Sequence, residues 1–340
     1  MSDAPTTATT TERGQQRSAS AWLRGGGPVR LVRGHGILLA LIILIIGGAI
    51  LSPNFLTLSN LANVSRQGSI VGILGIGMTF VILTAGIDLS VGSILGLVAI
   101  SFAGALATGI AWPLAMVVAL AVGAGTGALN GLGITKGGLQ PFIMTLGMLV
   151  IARGVTLTLS DGKPIRAGDD AEAIAWIGSG EVAGIPVPLL LFIGIAVVSW
   201  FVLRHTPFGR EVYAVGDNAE AARLSGISTN RVIFSAYVIS GLCAAVAAMI
   251  VVSRLAAAEP TQGTGFELDA IAIVVIGGTS LFGGEGGVGG TVIGAMVVAA
   301  MNNLLNLLGV SPFSQQIVKG LIILGAVFLE RRTRTREGGR

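Results

Sequence analysis

Long apolar runs separated by short polar segments fill most of the 340-residue chain. About ten of these runs are long enough to cross, or nearly to cross, the hydrocarbon core of a bilayer as helices. They cover 37–51, 68–85, 90–110, 113–133, 141–158, 187–203, 232–252, 268–282, 288–308 and 314–329. The charged side chains between positions 36 and 160 are only Arg66, Asp88, Lys136 and Arg153. So few charges cannot form a water-soluble surface, and the pattern predicts an all-α, polytopic membrane helix bundle of about ten transmembrane helices.

Basic residues at both ends of the chain indicate how the spans are oriented. Arginines are frequent in both tails, at Arg13, Arg17, Arg24, Arg30 and Arg33, and at Arg331, Arg332, Arg334, Arg336 and Arg340. Segments rich in Lys and Arg stay in the cytoplasm, so both termini are predicted to be cytoplasmic and the number of spans to be even. Ten spans then place the acidic loop 159–186 outside and the arginine-containing loop 204–231 inside. The predicted organisation is a disordered cytosolic tail (1–33), a transmembrane domain (34–330) and a cytosolic basic tail (331–340).

Composition excludes several classes of site. The chain is 52% hydrophobic and 11% charged, and its isoelectric point of about 9.8 comes mostly from the tails and short loops. The basic residues are therefore interpreted as topology signals rather than as a nucleic-acid-binding face. One cysteine, Cys243, and two histidines, His35 and His205, provide neither a disulfide framework nor a metal cluster.

The stretch GGEGGVGG at 283–290 matches the dinucleotide fingerprint G-x-G-x-x-G through Gly284, Gly286 and Gly289. That fingerprint needs a preceding strand, a soluble helix and an acidic residue about 20 positions further on. Membrane-like segments flank it here, and the region of position 309 contains no carboxylate. The three glycines are therefore predicted to form a tight cytoplasmic turn between two spans, where positive φ angles and close packing require glycine.

A few polar residues in the apolar regions are candidates for a translocation path. Asp88 and Ser90 are interpreted first as caps of the helix that follows them, although an intramembrane carboxylate is also a functional candidate. Arg153 and Lys319 either snorkel, pair structurally or line a polar path. Asn302 and Asn306 lie one turn apart on one helix face, where they contact a polar solute or form interhelical hydrogen bonds.

The segment 206–231 contains NAEAARLSGI, which predicts a short helix on the cytoplasmic side. Asp217 or Asn218 is expected to cap its start and Gly226 to end it. A helix this short is marginal alone, so a partner that holds it is expected. The sequence contains no P-loop, so any ATP that drives the protein is expected to bind another chain.

Three motifs resemble, in this order, the signatures of ribose-type ABC importer permeases, the carbohydrate-uptake branch that also includes xylose and autoinducer-2 permeases. The motifs are ILTAGIDLSVGS (82–93), TPFGREVYAVGDNAEAARLSGI (206–227) and VVIGGTSLFGGEGGVGGTVIGA (274–295). The resemblance covers about 37–330. It implies that the transmembrane domain is a permease domain in the cytoplasmic (inner) membrane of a bacterium.

The resemblance also implies partners. The core would hold two permease subunits, as a homodimer or a heterodimer, surrounded by membrane lipid. Cytoplasmic ABC ATPase subunits would bind ATP and Mg²⁺, and an extracytoplasmic sugar-binding protein would deliver the solute. The chain itself would be no enzyme and would bind no cofactor, metal or nucleic acid.

Part of the second motif is similar to the EAA-x-x-x-G coupling motif of ABC importer permeases, which docks in a groove of the ATPase. The apolar-Pro ending of some importers is missing here, because ISTNR continues instead. The residues that the resemblance assigns to the coupling loop are Gly209, Arg210, Asn218, Glu220, Ala221, Ala222 and Gly226.

The hypothesis is therefore a permease subunit for ATP-driven uptake of a sugar or sugar-like solute. The main alternative is an ion-coupled secondary transporter of a small polar solute, for which Asp88 is the candidate carboxylate. A membrane-bound nucleotide-dependent enzyme is the third class, and no loop exceeds about 30 residues to house its active site.

Overall fold

The computed structural model describes residues 27–168, 170–321 and 324–325, and helices dominate them. The helices are α1 (Gly27–Leu51), α2 (Leu58–Leu83), α3 (Val91–Ala107), α4 (Trp112–Thr135), α5 (Pro141–Ser160), α6 (Ala171–Ser179), α7 (Val187–His205), α8 (Pro207–Asp217), α9 (Ala219–Leu224), α10 (Thr229–Leu255), α11 (Phe266–Ile276), α12 (Val288–Leu307) and α13 (312–321). Two antiparallel pairs of two-residue strands add little: β1 (Ile165–Arg166) with β4 (Ala257–Ala258), and β2 (Glu181–Val182) with β3 (Ile185–Pro186).

Every predicted apolar run contains one of these helices, which confirms an all-α, polytopic membrane protein. Within the described residues, six helices are long and apolar enough to cross a membrane: α2, α4, α5, α7, α10 and α12. Part of α1, Gly36–Leu51, and the whole of α3 form shorter apolar helices. The second run was placed too late, because α2 begins at Leu58 and its first turns carry polar residues without a helix breaker. The count of ten spans stays a prediction.

The predicted tails and loops contain more structure than expected. Residues 1–26 and 326–340 lie outside the described residues, but α1 begins at Gly27, inside the segment predicted as a disordered tail. Pro28 suits the first turn of a helix. The loop 159–186 contains α6 and three strands, and the loop 204–231 contains α8 in addition to the predicted α9.

Helix α10 forms the centre of the bundle and packs against α2, α3, α4 and α6. Its contact with α4 is a direct approach of two backbones, because a Cβ on Gly123 or on Gly241 would overlap the carbonyl of the other. Gly127 faces the carbonyl of Tyr237 in the same way. Small residues thus let the helices pack closely in lipid, where apolar burial alone does not drive association.

Large apolar side chains remain exposed on the outer helices. Examples are Val150 on α5 (64% exposed), Val198 on α7 (64%) and Ile317 on α13 (67%). In a soluble protein such surfaces would mark interaction sites or aggregation hazards. In a membrane protein they are the faces that lipid or another apolar helix covers.

The glycine-rich segment between α11 and α12 is a tight corner, as the sequence predicted. Gly284 and Gly286 have φ angles of +72° and +123°, which L-residues rarely adopt. Gly284 also donates its N–H to the carbonyl of Leu83 at 3.1 Å, so the corner contacts the end of α2. The prediction for Gly289 is wrong: its φ is not positive, and a Cβ there would meet nothing within 4 Å. The close approach belongs to Gly290, where a Cβ would overlap the carbonyl of Gly277.

These two neighbouring glycines give a matched test of the corner. We expect Gly290→Ala to lower the free energy of unfolding by about 1–3 kcal/mol, because the new methyl group must displace backbone of α11. Gly289→Ala should leave stability unchanged or slightly raised, because alanine is the better helix former by about 1 kcal/mol. Thermal unfolding of the detergent-solubilised protein measures both, and equal effects of the two substitutions would contradict the assignment.

Candidate functional site

Helix α8 positions the segment predicted to meet a partner. Thr206 caps it, since its Oγ1 accepts from the N–H of Gly209 at 3.2 Å. Gly209 is buried against α7, and a Cβ there would overlap the carbonyl of Leu203. At the other end of α8, a Cβ on Gly216 would overlap the carbonyl of Leu83. The helix therefore lies directly on the ends of α7 and α2.

Helix α9 follows at once and projects its polar side outward. Asn218 Oδ1 accepts from the N–H of Ala221 at 2.9 Å, and Gly226 after the helix has φ +85°, so the predicted cap and terminator are confirmed. Ala222 is buried at 4% exposure. Glu220 pairs with Arg223 on the exposed side, and this hydrogen bond and charge lower the pKa of the Glu220 carboxyl.

The next residue, Leu224, is 74% exposed. Helix α9 thus presents both an ion pair and an exposed leucine at the surface.

One hydrogen bond connects α8 to the glycine corner, and a second connects that corner to the end of α2. Tyr213 donates its hydroxyl to the carbonyl of Gly286 at 3.0 Å, and Gly284 bonds to Leu83 beneath Gly216. Arg210 lines a cavity of about 590 Å³ beside the same corner, with Arg204 and Gly287. Helix α8 therefore contacts both the end of α2 and the α11–α12 corner.

Asp88 lies at the centre of a buried polar network rather than at a helix cap. Its Oδ1 accepts from the N–H and the hydroxyl of Ser90, and its Oδ2 accepts from Ser240 at 2.8 Å. Asn130 donates to the Ser90 hydroxyl at 2.8 Å. The capping interpretation is wrong for both residues, because Ser90 holds the N-cap position of α3 without a side-chain cap bond, and among the described residues Asp88 accepts only from Ser90 and Ser240. The network instead ties the α2–α3 corner to α4 and α10.

A polar cavity of about 310 Å³ lies between α2, α11, α12, α13 and the last turn of α10. Asn302 and Asn306 both line it, as their shared helix face predicted. Gln315 donates to the Asn306 Oδ1 at 2.8 Å. The Asn302 Oδ1 is buried and has no hydrogen-bond partner among the described residues. Sequence reasoning thus located two lining residues but left open what they contact.

Two further candidates proved to be paired. Arg153 donates to the carbonyls of Pro260 at 2.6 Å and Gln262 at 3.0 Å, in the segment between α10 and α11. Lys319 lies 2.8 Å from the Oδ1 of Asp269 and joins α13 to α11 across the cavity wall. Both contacts are structural pairing, one of the outcomes that the sequence left open.

Sequence analysis missed Asp269 and Gln315. Asp269 is a lone carboxylate inside the predicted run 268–282, which was a usable signal. No feature of the sequence marked Gln315, because only the fold brings it close to Asn306. In the part of the chain that the structure describes, no three metal-ligating side chains cluster.

We expect Asp88→Ala to destabilise the protein by about 2–3 kcal/mol, because buried groups of Ser90 and Ser240 lose their acceptor. Asp88→Asn should cost less, since its amide oxygen serves Ser90 and its amide nitrogen can donate to the Ser240 hydroxyl. Glu259→Ala, which removes an exposed carboxylate outside any helix, is the control and should be neutral. Chemical denaturation in detergent measures the series, and a neutral Asp88→Ala would refute the structural role.

The chain matches a family model over residues 60–327, and the family is described as "Branched-chain amino acid transport system / permease component". The ribose import permease protein RbsC of Escherichia coli K12 is 46% identical over 87% of this chain and 92% of its own length. RbsC of Bacillus subtilis 168 is 48% identical over the same shares, and the D-allose transport system permease protein AlsC of Escherichia coli K12 is 41% identical over 88% and 91%. No solved structure matches significantly. The chain belongs to the family of transport-system permease components that this model describes.

Proposed function

We propose that this chain is the membrane-spanning permease subunit of an ATP-binding-cassette importer that carries a sugar or sugar-like solute into the cytoplasm. The relatives named for ribose and allose cover about nine tenths of both chains, whereas the amino-acid description belongs to the family as a whole. A zwitterionic amino acid would also require two free opposite charges, and Asp269 and Lys319 already neutralise each other. A neutral solute therefore fits better.

The observation that carries the proposal is the α8–α9 pair. It presents the Glu220-Ala221-Ala222 stretch on the ordered, exposed α9, and a hydrogen bond from Tyr213 connects the adjoining α8 to the glycine corner. Such an arrangement suits a docking site for an ATPase subunit. ATP and Mg²⁺ would bind that separate subunit, and this chain would catalyse no chemical step.

The proposed topology has ten spans with both termini in the cytoplasm of a bacterium and the bundle in its inner membrane. The six qualifying helices, the shorter α1 and α3, and the apolar α11 and α13 support this count. Helix α9 would then face the cytoplasm, and α6 would face the extracytoplasmic binding protein. A second permease subunit would complete the core.

Transport would proceed by rigid-body movement. Closure of the ATPase subunits on ATP would displace α9, and the contacts of Gly216 and Tyr213 would pass that displacement to α2 and to the glycine corner. Helices whose backbones touch move together rather than deform, so the bundle would alternate between its two sides.

Asp88 does not favour the ion-coupled alternative. Both of its carboxylate oxygens accept from protein hydroxyls, and the residue has no exposed surface. A carrier carboxylate needs access to the ion it binds. Uptake should therefore persist in Asp88→Asn and vanish on ATP depletion.

Glu220→Arg should strongly reduce ATP-driven uptake, because the reversed charge faces Arg223 and alters the docking surface. Its matched control is Glu172→Arg, the same reversal on the exposed side of α6. Retention of the ATPase subunit during purification and uptake of D-ribose and D-allose are measured together. Loss of ATPase retention in Glu220→Arg but not in Glu172→Arg is expected, and equal behaviour would refute the coupling role.

The topology makes a separate prediction. In a Cys243→Ala background, a cysteine at Glu220 should react with a membrane-impermeant thiol reagent only in inside-out vesicles. A cysteine at Glu172 should react only in right-side-out vesicles. If both cysteines react from the same side, α6 and α9 lie on one side of the membrane, and the proposed single span between them, α7, is disproved.

A further inference from the structure

The polar cavity lies at the end of the bundle opposite the docking helices. Helix α2 meets α8 at Leu83, whereas its cavity-lining residues are Gln67 and Val71. Helix α10 starts just after α9, and the residues at its far end, including Arg254, line the cavity. In the proposed topology the cavity therefore opens toward the extracytoplasmic side, where a solute would arrive.

The size and the lining fit a small hydroxyl-rich molecule. A volume of about 310 Å³ lies at the lower end of the range for small-molecule sites. Carboxamides from three helices line one part of it, at Gln67, Asn302 and Gln315, and apolar Phe266 and Ile273 line another. Sugars present both hydroxyls and C–H surfaces, so this mixture matches them.

Asn302 provides the most specific requirement. Its buried Oδ1 lacks a donor, and a buried acceptor without a partner costs free energy. The neighbouring amides are already engaged: Asn303 pairs reciprocally with Asn60, and Asn306 accepts from Gln315. The Asn302 carboxamide lines the cavity and makes no hydrogen bond to another described residue, so it is available to a hydroxyl group that enters there.

The charged residues that line the cavity favour a neutral solute. Asp269 and Lys319 form an ion pair in the wall, so neither is available to bind an ionic solute. Arg254 is the remaining charged residue of the lining. An uncharged polyhydroxylated solute avoids the desolvation that a charged one would meet there.

We propose that this cavity is a solute-binding site on the transport path, in which the Asn302 carboxamide forms a hydrogen bond with a hydroxyl group of a neutral monosaccharide. The inference rests on the proposed function and adds to it the location of a solute contact and the residue that makes it. This site would receive the sugar from outside, before the movement of α2 and the α11–α12 corner opens a path to the cytoplasm.

The first experiment uses the complete transporter in proteoliposomes with D-ribose and D-allose. Asn302→Ala should lower the number of sugar molecules imported per ATP hydrolysed by about 3- to 10-fold. This is the fold-change in affinity that corresponds to the loss of one hydrogen bond. The ATPase rate in the presence of the binding protein should stay within about twofold of the wild type. A merely structural loss would lower both quantities together.

The matched control is Met301→Ala, which truncates the preceding residue of α12 outside the cavity lining. It should leave the ratio of sugar to ATP unchanged. If Asn302→Ala also leaves that ratio unchanged while the wild type transports normally, the inference fails and the proposed function stands. If the wild type imports neither sugar with ATP, the proposed function fails and the inference fails with it.

The second experiment tests access without relying on the rate of transport. In the Cys243→Ala background, a cysteine at Asn302 should react with an impermeant thiol reagent from outside, and D-ribose with the binding protein should slow that reaction. A cysteine at Val198, exposed on the lipid-facing side of α7, should not react. Lack of reaction at position 302, or reaction that the loaded binding protein slows no more than the sugar-free one, would overturn the inference.

Discussion

The bundle depends on direct contact between helix backbones at positions without a side chain. Gly123 and Gly241 place α4 against α10, and Gly290 places α12 against the end of α11. In lipid, apolar burial contributes little to helix association, so close packing must supply the attraction. The buried network of Asp88 adds directional bonds to the same core and fixes where α3 begins. The two constraints together keep the central helices in one arrangement.

In the proposed mechanism, this close packing would let a six-residue helix act on a membrane bundle. Helix α9 is too short to be stable alone, yet Asn218 caps it and α8 holds it against the end of α2. Few flexible residues lie between the docking surface and the corner at Gly286. In the proposed mechanism, a displacement of α9 would therefore reach the membrane helices instead of being absorbed in a loop.

The parts of the molecule that local chemistry determines could be predicted from the sequence. The apolar runs predicted the helices. The ends of α9 were predicted from the side-chain amide of Asn218 and from the ability of Gly226 to adopt a positive φ. The choice between Gly289 and Gly290 could not be predicted, because it depends on which helix face meets α11. Asp88 was misassigned for a similar reason, since its partner Ser240 lies 152 positions away and only the fold brings them together. The cavity likewise arises from side chains of distant helices.

The division between backbone and side-chain contacts has a consequence for how such a protein can change. The packing contacts use backbone at glycine positions, where almost any substitution disturbs the whole bundle. The cavity wall consists of side chains such as Asn302 and Gln315, which can be exchanged without moving a helix axis. If the proposed site selects the solute, its preference would diversify by single substitutions on a scaffold that stays the same, and a designer could alter the wall while leaving the glycines untouched.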